Sequence, residues 1–217
     1  MARDWNDNYA EGFLPWDTGK PEPALVAHVE RGTLDGPTKG GPTKEGPRRV
    51  LEVGCGTGTN ALWLAERGFD VVAIDVAPLA VEQARAKAAS AKAKPRFEVL
   101  DFLNADVPGG PFDAVFDRGV FHVFDDADVR ARFAERVAAA LVPDGTWLSL
   151  AGSTEGPPRD TGPPRRSARD IVNAIEPSLE LVELSGASFD TDTPEPKKAW
   201  VIIAKRRTIE PQPSTKR

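Results

Sequence analysis

Apolar positions along the chain gather into short runs, and the stretches between them repeat every three or four residues. Arg49-Val50-Leu51-Glu52-Val53 is a β-branched run that ends at glycines, and Asn60 to Arg67 follows with helical spacing. This reads as strand, turn and helix. Val71-Val72-Ala73-Ile74 stops at Asp75 and leads into an alanine-rich helix from Pro78 to Ala91, with its proline where a first turn tolerates one. Phe97 to Leu100 and Phe112 to Phe116 read as further strands, Val129 to Leu141 as a helix, and Thr146 to Leu150 as a strand entered through the turn Pro143-Asp144-Gly145. After Leu150 the pattern predicts a helix over Ala168 to Ile175, then the runs Leu179 to Leu184 and Ala199 to Ala204 with no helix between them. Those two strands are therefore expected to pair antiparallel.

Alternation of this kind, closed by right-handed crossovers, makes an α/β fold with a Rossmann-like, mostly parallel sheet and helices on both faces. Its ligand site belongs outside the carboxyl ends of the strands, where the strand order reverses. Proline and glycine cluster at residues 32–47, at Gly156 to Pro164 and in the polar tail. The first cluster repeats Gly-Pro-Thr-Lys and has almost nothing to bury, so it reads as a flexible loop. The expected organisation is an N-terminal cover segment over 1–31, that loop over 32–47, a folded domain over 48–207 and a disordered tail over 208–217.

Composition narrows the function. At 217 residues, 40% hydrophobic and 28% charged, the chain is sized for one ordinary globular core. A formal net charge of −5 gives no footprint for a nucleic-acid backbone, so a small-molecule partner is expected and nucleic acid is not. No apolar stretch approaches bilayer-spanning length and no signal core opens the chain, which predicts a cytoplasmic protein without a membrane partner. A single cysteine, Cys55, rules out an intrachain disulfide and a multi-cysteine metal cluster, and no metal is expected. A monomer or weak homodimer fits this composition.

The first chemical motif is Glu52-Val53-Gly54-Cys55-Gly56-Thr57-Gly58 at the end of the first strand. Gly54, Gly56 and Gly58 let backbone approach a ligand beside a helix N-terminus. The spacing differs from the Gly-x-Gly-x-x-Gly that cradles a pyrophosphate, and Glu52 suits a cationic ligand better than a diphosphate. Asp75, at the end of the second strand, stands where a carboxylate accepts both hydroxyls of a ribose. After the third strand, Asp101-Phe102 offers a carboxylate to an exocyclic amine and an aromatic face to a purine; the same carboxylate is equally suited to capping the loop.

Val50 to Gly58, Asp75 and Asp101-Phe102 together resemble the S-adenosylmethionine site of the class I methyltransferases. The resemblance implies a seven-stranded sheet with a reversed last hairpin and S-adenosyl-L-methionine as cofactor. Trp5 to Gly19, Phe116-Asp117-Arg118-Gly119, Gly162-Pro163-Pro164 and Trp200 narrow it to the thiopurine and halide/thiol methyltransferases. By that resemblance Trp5, Tyr9 and Trp16 pack on the cofactor, Leu100, Asp101 and Phe102 hold its adenine, and Glu52, Gly54, Cys55, Gly56, Gly58, Asp75 and Asp117 complete its shell. Arg118 would sit on the methyl-acceptor side. It remains protonated at neutral pH, so its expected role is electrostatic, holding an anionic acceptor in line, with Asp17 or His122 taking a proton where the acceptor arrives protonated. No Asn-Pro-Pro-Tyr follows the fourth strand, which disfavours nucleobase and glutamine methylation.

The expected activity is methyl transfer to a small nucleophile, first the sulfur of a thiol or thiopurine. The alternatives are a halide, tellurite or selenium species or an O- or N-acceptor, and, outside enzymes, an S-adenosylmethionine-binding regulatory protein.

Overall fold

A computed structural model describes residues 5–35, 46–157, 164–192 and 197–208. Most of the loop expected at 32–47, the tail beyond Thr208, and Gly162 and Pro163 lie outside the described residues. Two helices, α1 (Trp5–Glu11) and α2 (Pro23–Glu30), precede an alternating run of β1 (Arg49–Val53), α3 (Thr59–Glu66), β2 (Asp70–Asp75), α4 (Pro78–Ala88) and β3 (Arg96–Val99). Then follow β4 (Phe112–Arg118), α5 (Ala127–Ala140), β5 (Leu141–Gly152), α6 (Ala168–Ile175), β6 (Leu179–Phe189) and β7 (Lys197–Arg206).

The seven strands form one sheet in the order β3-β2-β1-β4-β5-β7-β6. Pairs from β3 through β5 are parallel, while β7 runs antiparallel to both β5 and β6. This is the expected Rossmann-like fold with its reversed C-terminal hairpin. Successive side chains of a strand face opposite ways, and both faces here are covered, which is why the strands read as unbroken apolar runs. Val50 packs on one side with Leu62 and Leu64 of α3 and Val81 of α4. Leu51 packs on the other with Phe133 and Val137 of α5 and Ile171 of α6.

Helix ends follow side-chain chemistry. Asp126 caps α5 by accepting from the amides of Asp128 at 2.7 Å and Val129 at 3.2 Å. Ser167 and Asp170 exchange hydrogen bonds as a capping box on α6, which holds the Asp170 carboxyl below its usual range. One expectation is corrected at β5. The Pro143-Asp144-Gly145 turn does not precede the strand but interrupts it, because pairing with β4 begins at Leu141 and shifts register before Thr146, with Asp144 at φ 59°.

Candidate active site

The strand order reverses between β1 and β4, so the carboxyl ends of β1, β2 and β4 open into one crevice. A cavity of about 700 Å³ lies there, within the range of roughly 300–1,000 Å³ usual for small-molecule sites. The glycine turn, Asp75, Leu100, Asp101, Phe102, Arg118 and His122 line it, together with Trp5, Tyr9, Trp16 and Asp17 from the N-terminal segment.

The turn is built around its glycines. Gly54, Gly56 and Gly58 adopt φ of +71°, +54° and +80°, the left-handed region. A Cβ on Gly54 would collide with Val120, and one on Gly58 would meet the Phe97 ring and Ala84 at 2.8–2.9 Å. Gly54 and Gly56 line the cavity and Gly58 does not; Gly56 lies beneath the Tyr9 hydroxyl, which a Cβ there would approach to 3.2 Å. Asp75 stabilises this turn directly, accepting from the Gly56 amide and the Ala77 amide at 2.9 Å each. Burial raises its carboxyl pKa, against the effect of those amides.

Glu52 is almost wholly buried; its Oε1 accepts from Asn60 Nδ2 at 3.3 Å, and its Oε2 has no hydrogen-bond partner. Desolvation pushes its pKa up to about 8, with nearby Asp75 adding to the rise and the Asn60 hydrogen bond opposing it. Glu52 thus lies outside the cavity lining, where Asn60 links it to the Glu22 amide, and does not reach the cofactor position expected for it. The lining itself is acidic. Among the described residues it carries five carboxylates, Asp17, Glu22, Asp75, Asp101 and Asp190, against the three cations Lys20, Arg118 and Lys197. The chamber suits a cationic nucleoside.

The N-terminal segment lies across the cavity. Trp16 meets Trp5 edge-on at 6.0 Å and Tyr9 at 6.4 Å. Burial, with Asp75 close by, raises the Tyr9 pKa, so its hydroxyl stays protonated. Asp17 accepts from the hydroxyls of Thr57 at 2.5 Å and Thr59 at 3.4 Å, and Lys87 of α4 donates to the same two hydroxyls at 2.5 and 2.8 Å. Asp17 thereby ties the segment to the glycine turn rather than standing ready as a base.

Arg118 is also committed. Its Nε donates to Glu22 Oε2 at 2.5 Å, Nη1 to the Trp16 carbonyl at 3.1 Å, and Nη2 to the Asp190 carbonyl. The guanidinium is thus neutralised by a carboxylate and bridges the N-terminal segment to the β6–β7 connection. Sequence reasoning missed Glu22, which is 3% exposed, and Asn60, whose Oδ1 accepts the Glu22 amide at 2.9 Å. A carboxylate 96 residues from its arginine leaves no periodic signal.

Five other expected residues have structural tasks. Asp117 does not line the cavity: fully buried, it accepts from the amides of Val120 and Phe121 and from the Trp147 indole at 2.9–3.1 Å, and so braces the turn after β4. Asp101 caps its own turn through the Leu103 amide at 2.9 Å and Asn104 Nδ2 at 2.7 Å. Phe102 is buried edge-on against Phe133, contributing to the floor of the cavity. His122 accepts the Gly152 amide at Nδ1, so that lone pair is spent and the neutral ring carries its proton on Nε2. Burial raises the Cys55 thiol pKa as well, leaving it a packing residue of the turn.

Residues 50–145 match a protein-family model described as a methyltransferase domain. The 2-heptyl-1-hydroxyquinolin-4(1H)-one methyltransferase of Mycobacteroides abscessus is 29% identical over 175 residues, covering 80% of this chain and 71% of that protein. Probable thiol methyltransferase 2 of Arabidopsis thaliana is 31% identical over 164 residues, covering 74% of this chain and 65% of that protein. A solved structure described as "Conversion of a Disulfide Bond into a Thioacetal Group during Echinomycin Biosynthesis" superposes with a TM-score of 0.72 at 28% identity, covering 89% of this chain and 85% of that one.

Proposed function

Because the chain is a class I S-adenosylmethionine-dependent methyltransferase resembling the thiol methyltransferase group, we propose that its acceptor is the sulfur of an apolar thiol or thiopurine. When bound, S-adenosylmethionine supplies the electrophile, a methyl group on a sulfonium sulfur. The residues present fit it. Gly54 and Gly56 would offer backbone for close approach and Asp75 a carboxylate to a ribose, while Glu52, buried outside the cavity lining, supports the wall through Asn60. Leu100, Asp101 and Phe102 would hold the adenine, and Trp5, Tyr9 and Trp16 would shield the bound cofactor from water.

The observation that carries the sulfur reading is that the titratable groups expected to take a proton already have partners. His122 Nδ1 accepts Gly152 and Asp17 accepts Thr57, and the nearby Glu22, which was not among them, is paired with Arg118. An acceptor must then ionise on its own. A thiol, with a reference pKa of about 8.5, presents a useful thiolate fraction near neutrality, whereas an aliphatic alcohol does not. Alignment against the methyl is the protein's main contribution, worth up to roughly 7–11 kcal/mol by effective-molarity arguments. A second reading comes from the Mycobacteroides abscessus relative, whose name carries a ring hydroxyl on an apolar heteroaromatic.

A mass-spectrometric screen of thiols, thiopurines, ring-hydroxylated heterocycles and halides decides between them. With sulfur acceptors, the midpoint of the pH–rate profile is expected to follow each thiol's own pKa. A midpoint fixed across thiols would assign proton removal to the enzyme and overturn this reading. The single buried cysteine and the acidic balance support a cytoplasmic enzyme without a nucleic-acid partner, which cell fractionation and a DNA-binding assay test. No helix among the described residues is long and apolar enough to cross a membrane.

A further inference from the structure

We propose that Glu22 determines acceptor specificity, by cancelling the charge of Arg118 so that the acceptor chamber rejects small inorganic anions and favours nucleophiles carried on an apolar body. The inference rests on the methyl-transfer reading above and concerns which acceptors that chemistry takes.

The geometry supporting it is a buried charge pair at the cavity wall. Glu22 and Arg118 have side chains 2% and 12% exposed, with Oε2 and Nε 2.5 Å apart. The remaining terminal nitrogens of the guanidinium face the carbonyls of Trp16 and Asp190. Glu22 is itself held, since its amide donates to Asn60 Oδ1 at 2.9 Å and Asn60 donates onward to Glu52. The carboxylate is thus fixed on the arginine by its own backbone anchor at Asn60.

Arg118 would otherwise be the natural anchor for iodide or thiocyanate. A small anion gives up its hydration on entering a buried chamber and needs a compensating positive charge there. Here the guanidinium is already neutralised, and carboxylates outnumber cations in the lining five to three. The field therefore opposes an incoming anion. An aromatic thiolate loses less, because its charge is delocalised and its ring buries apolar area against Val120, Phe124, Phe189 and Pro164. Phe189 already lies under the guanidinium, with the Arg118 Cζ 5.3 Å from its ring centre.

Glu22→Gln tests this. Gln keeps an oxygen for Arg118 Nε and leaves the backbone bond to Asn60 intact, while removing the negative charge. Steady-state kinetics with thiophenol, 6-mercaptopurine, iodide and thiocyanate are compared for both proteins at low and high salt. The expected result is a rise of at least tenfold in the ratio of kcat/KM for thiocyanate to that for the preferred thiol. Rising ionic strength should erode this gain, and cofactor affinity by calorimetry should stay within about threefold. An unchanged ratio, or one that moves without salt dependence, overturns the assignment. Should the variant not fold, the wild type still decides: the proposal requires thiocyanate and iodide to be at least a hundredfold poorer than the preferred thiol, and comparable turnover defeats it. If wild type methylates none of these acceptors, the function proposed above fails instead.

Discussion

At the scale of single residues, Glu52 makes the sharpest prediction. Its ordinary pKa near 4.5 is raised to about 8 by desolvation. Between those values the unfolded chain has released the proton that the folded chain keeps, so the folded state binds more protons and stability falls as pH rises. Asp75 and Asp117, also raised by burial, act in the same direction. Cofactor-free protein should therefore lose a few kcal/mol between about pH 5 and pH 8, and Glu52→Gln should flatten much of that slope in urea titrations at several pH values. A profile that Glu52→Gln leaves untouched would show that the carboxyl is ionised when folded. Asp75 has two tasks, so Asp75→Ala is expected to weaken cofactor binding by about 1.5–3 kcal/mol and to lower the melting temperature without ligand, because the Gly56 and Ala77 amides lose their acceptor. Calorimetry and thermal melts separate the two losses. Gly54, Gly58 and Asp75 were legible in the sequence because strand ends and left-handed turns leave local marks. Glu22 and Asn60 were not, since their meaning comes from partners brought together only by the sheet.

At the scale of elements, the N-terminal segment and the β6–β7 connection meet at one guanidinium. Arg118→Ala removes the donors to Glu22, Trp16 and Asp190 together, so amide exchange should quicken both in residues 5–20 and around Phe189 to Asp192. Quickening confined to either side would show that the two are held independently. Turnover should fall roughly tenfold to a thousandfold, now chiefly through lost alignment. In the wild type, adding S-adenosylhomocysteine should slow exchange in α1; unchanged protection would make the segment a structural brace rather than a cover. The elements themselves were largely readable. Helix α6 begins and ends where the apolar period and the Ser167 cap place it, and β1 matches its β-branched run. The start of β5 was not, because Pro143-Asp144-Gly145 carries the local signature of a strand-ending turn while tertiary pairing with β4 carries the strand through it.

At the scale of the whole molecule, ligand binding and folding are linked. S-adenosylhomocysteine at a hundred times its Kd should stabilise the fold by about 2.7 kcal/mol, which for a chain of this size is a rise of about 5–10 °C in Tm. A thermal-shift titration in which a nicotinamide dinucleotide raises Tm more than S-adenosylhomocysteine would refute the cofactor assignment. The strand order has a further consequence during synthesis. Strand β7 inserts between β5 and β6, so a strand synthesised after both of its neighbours completes the middle of one half of the sheet. Arg118, Trp16 and Glu22 emerge long before Asp190, their last partner at the clasp, has been made. A nascent chain stopped before Lys197 therefore leaves β5 and β6 without their shared neighbour, and it should be recognised by chaperones and remain unable to bind the nucleoside until β7 slides home.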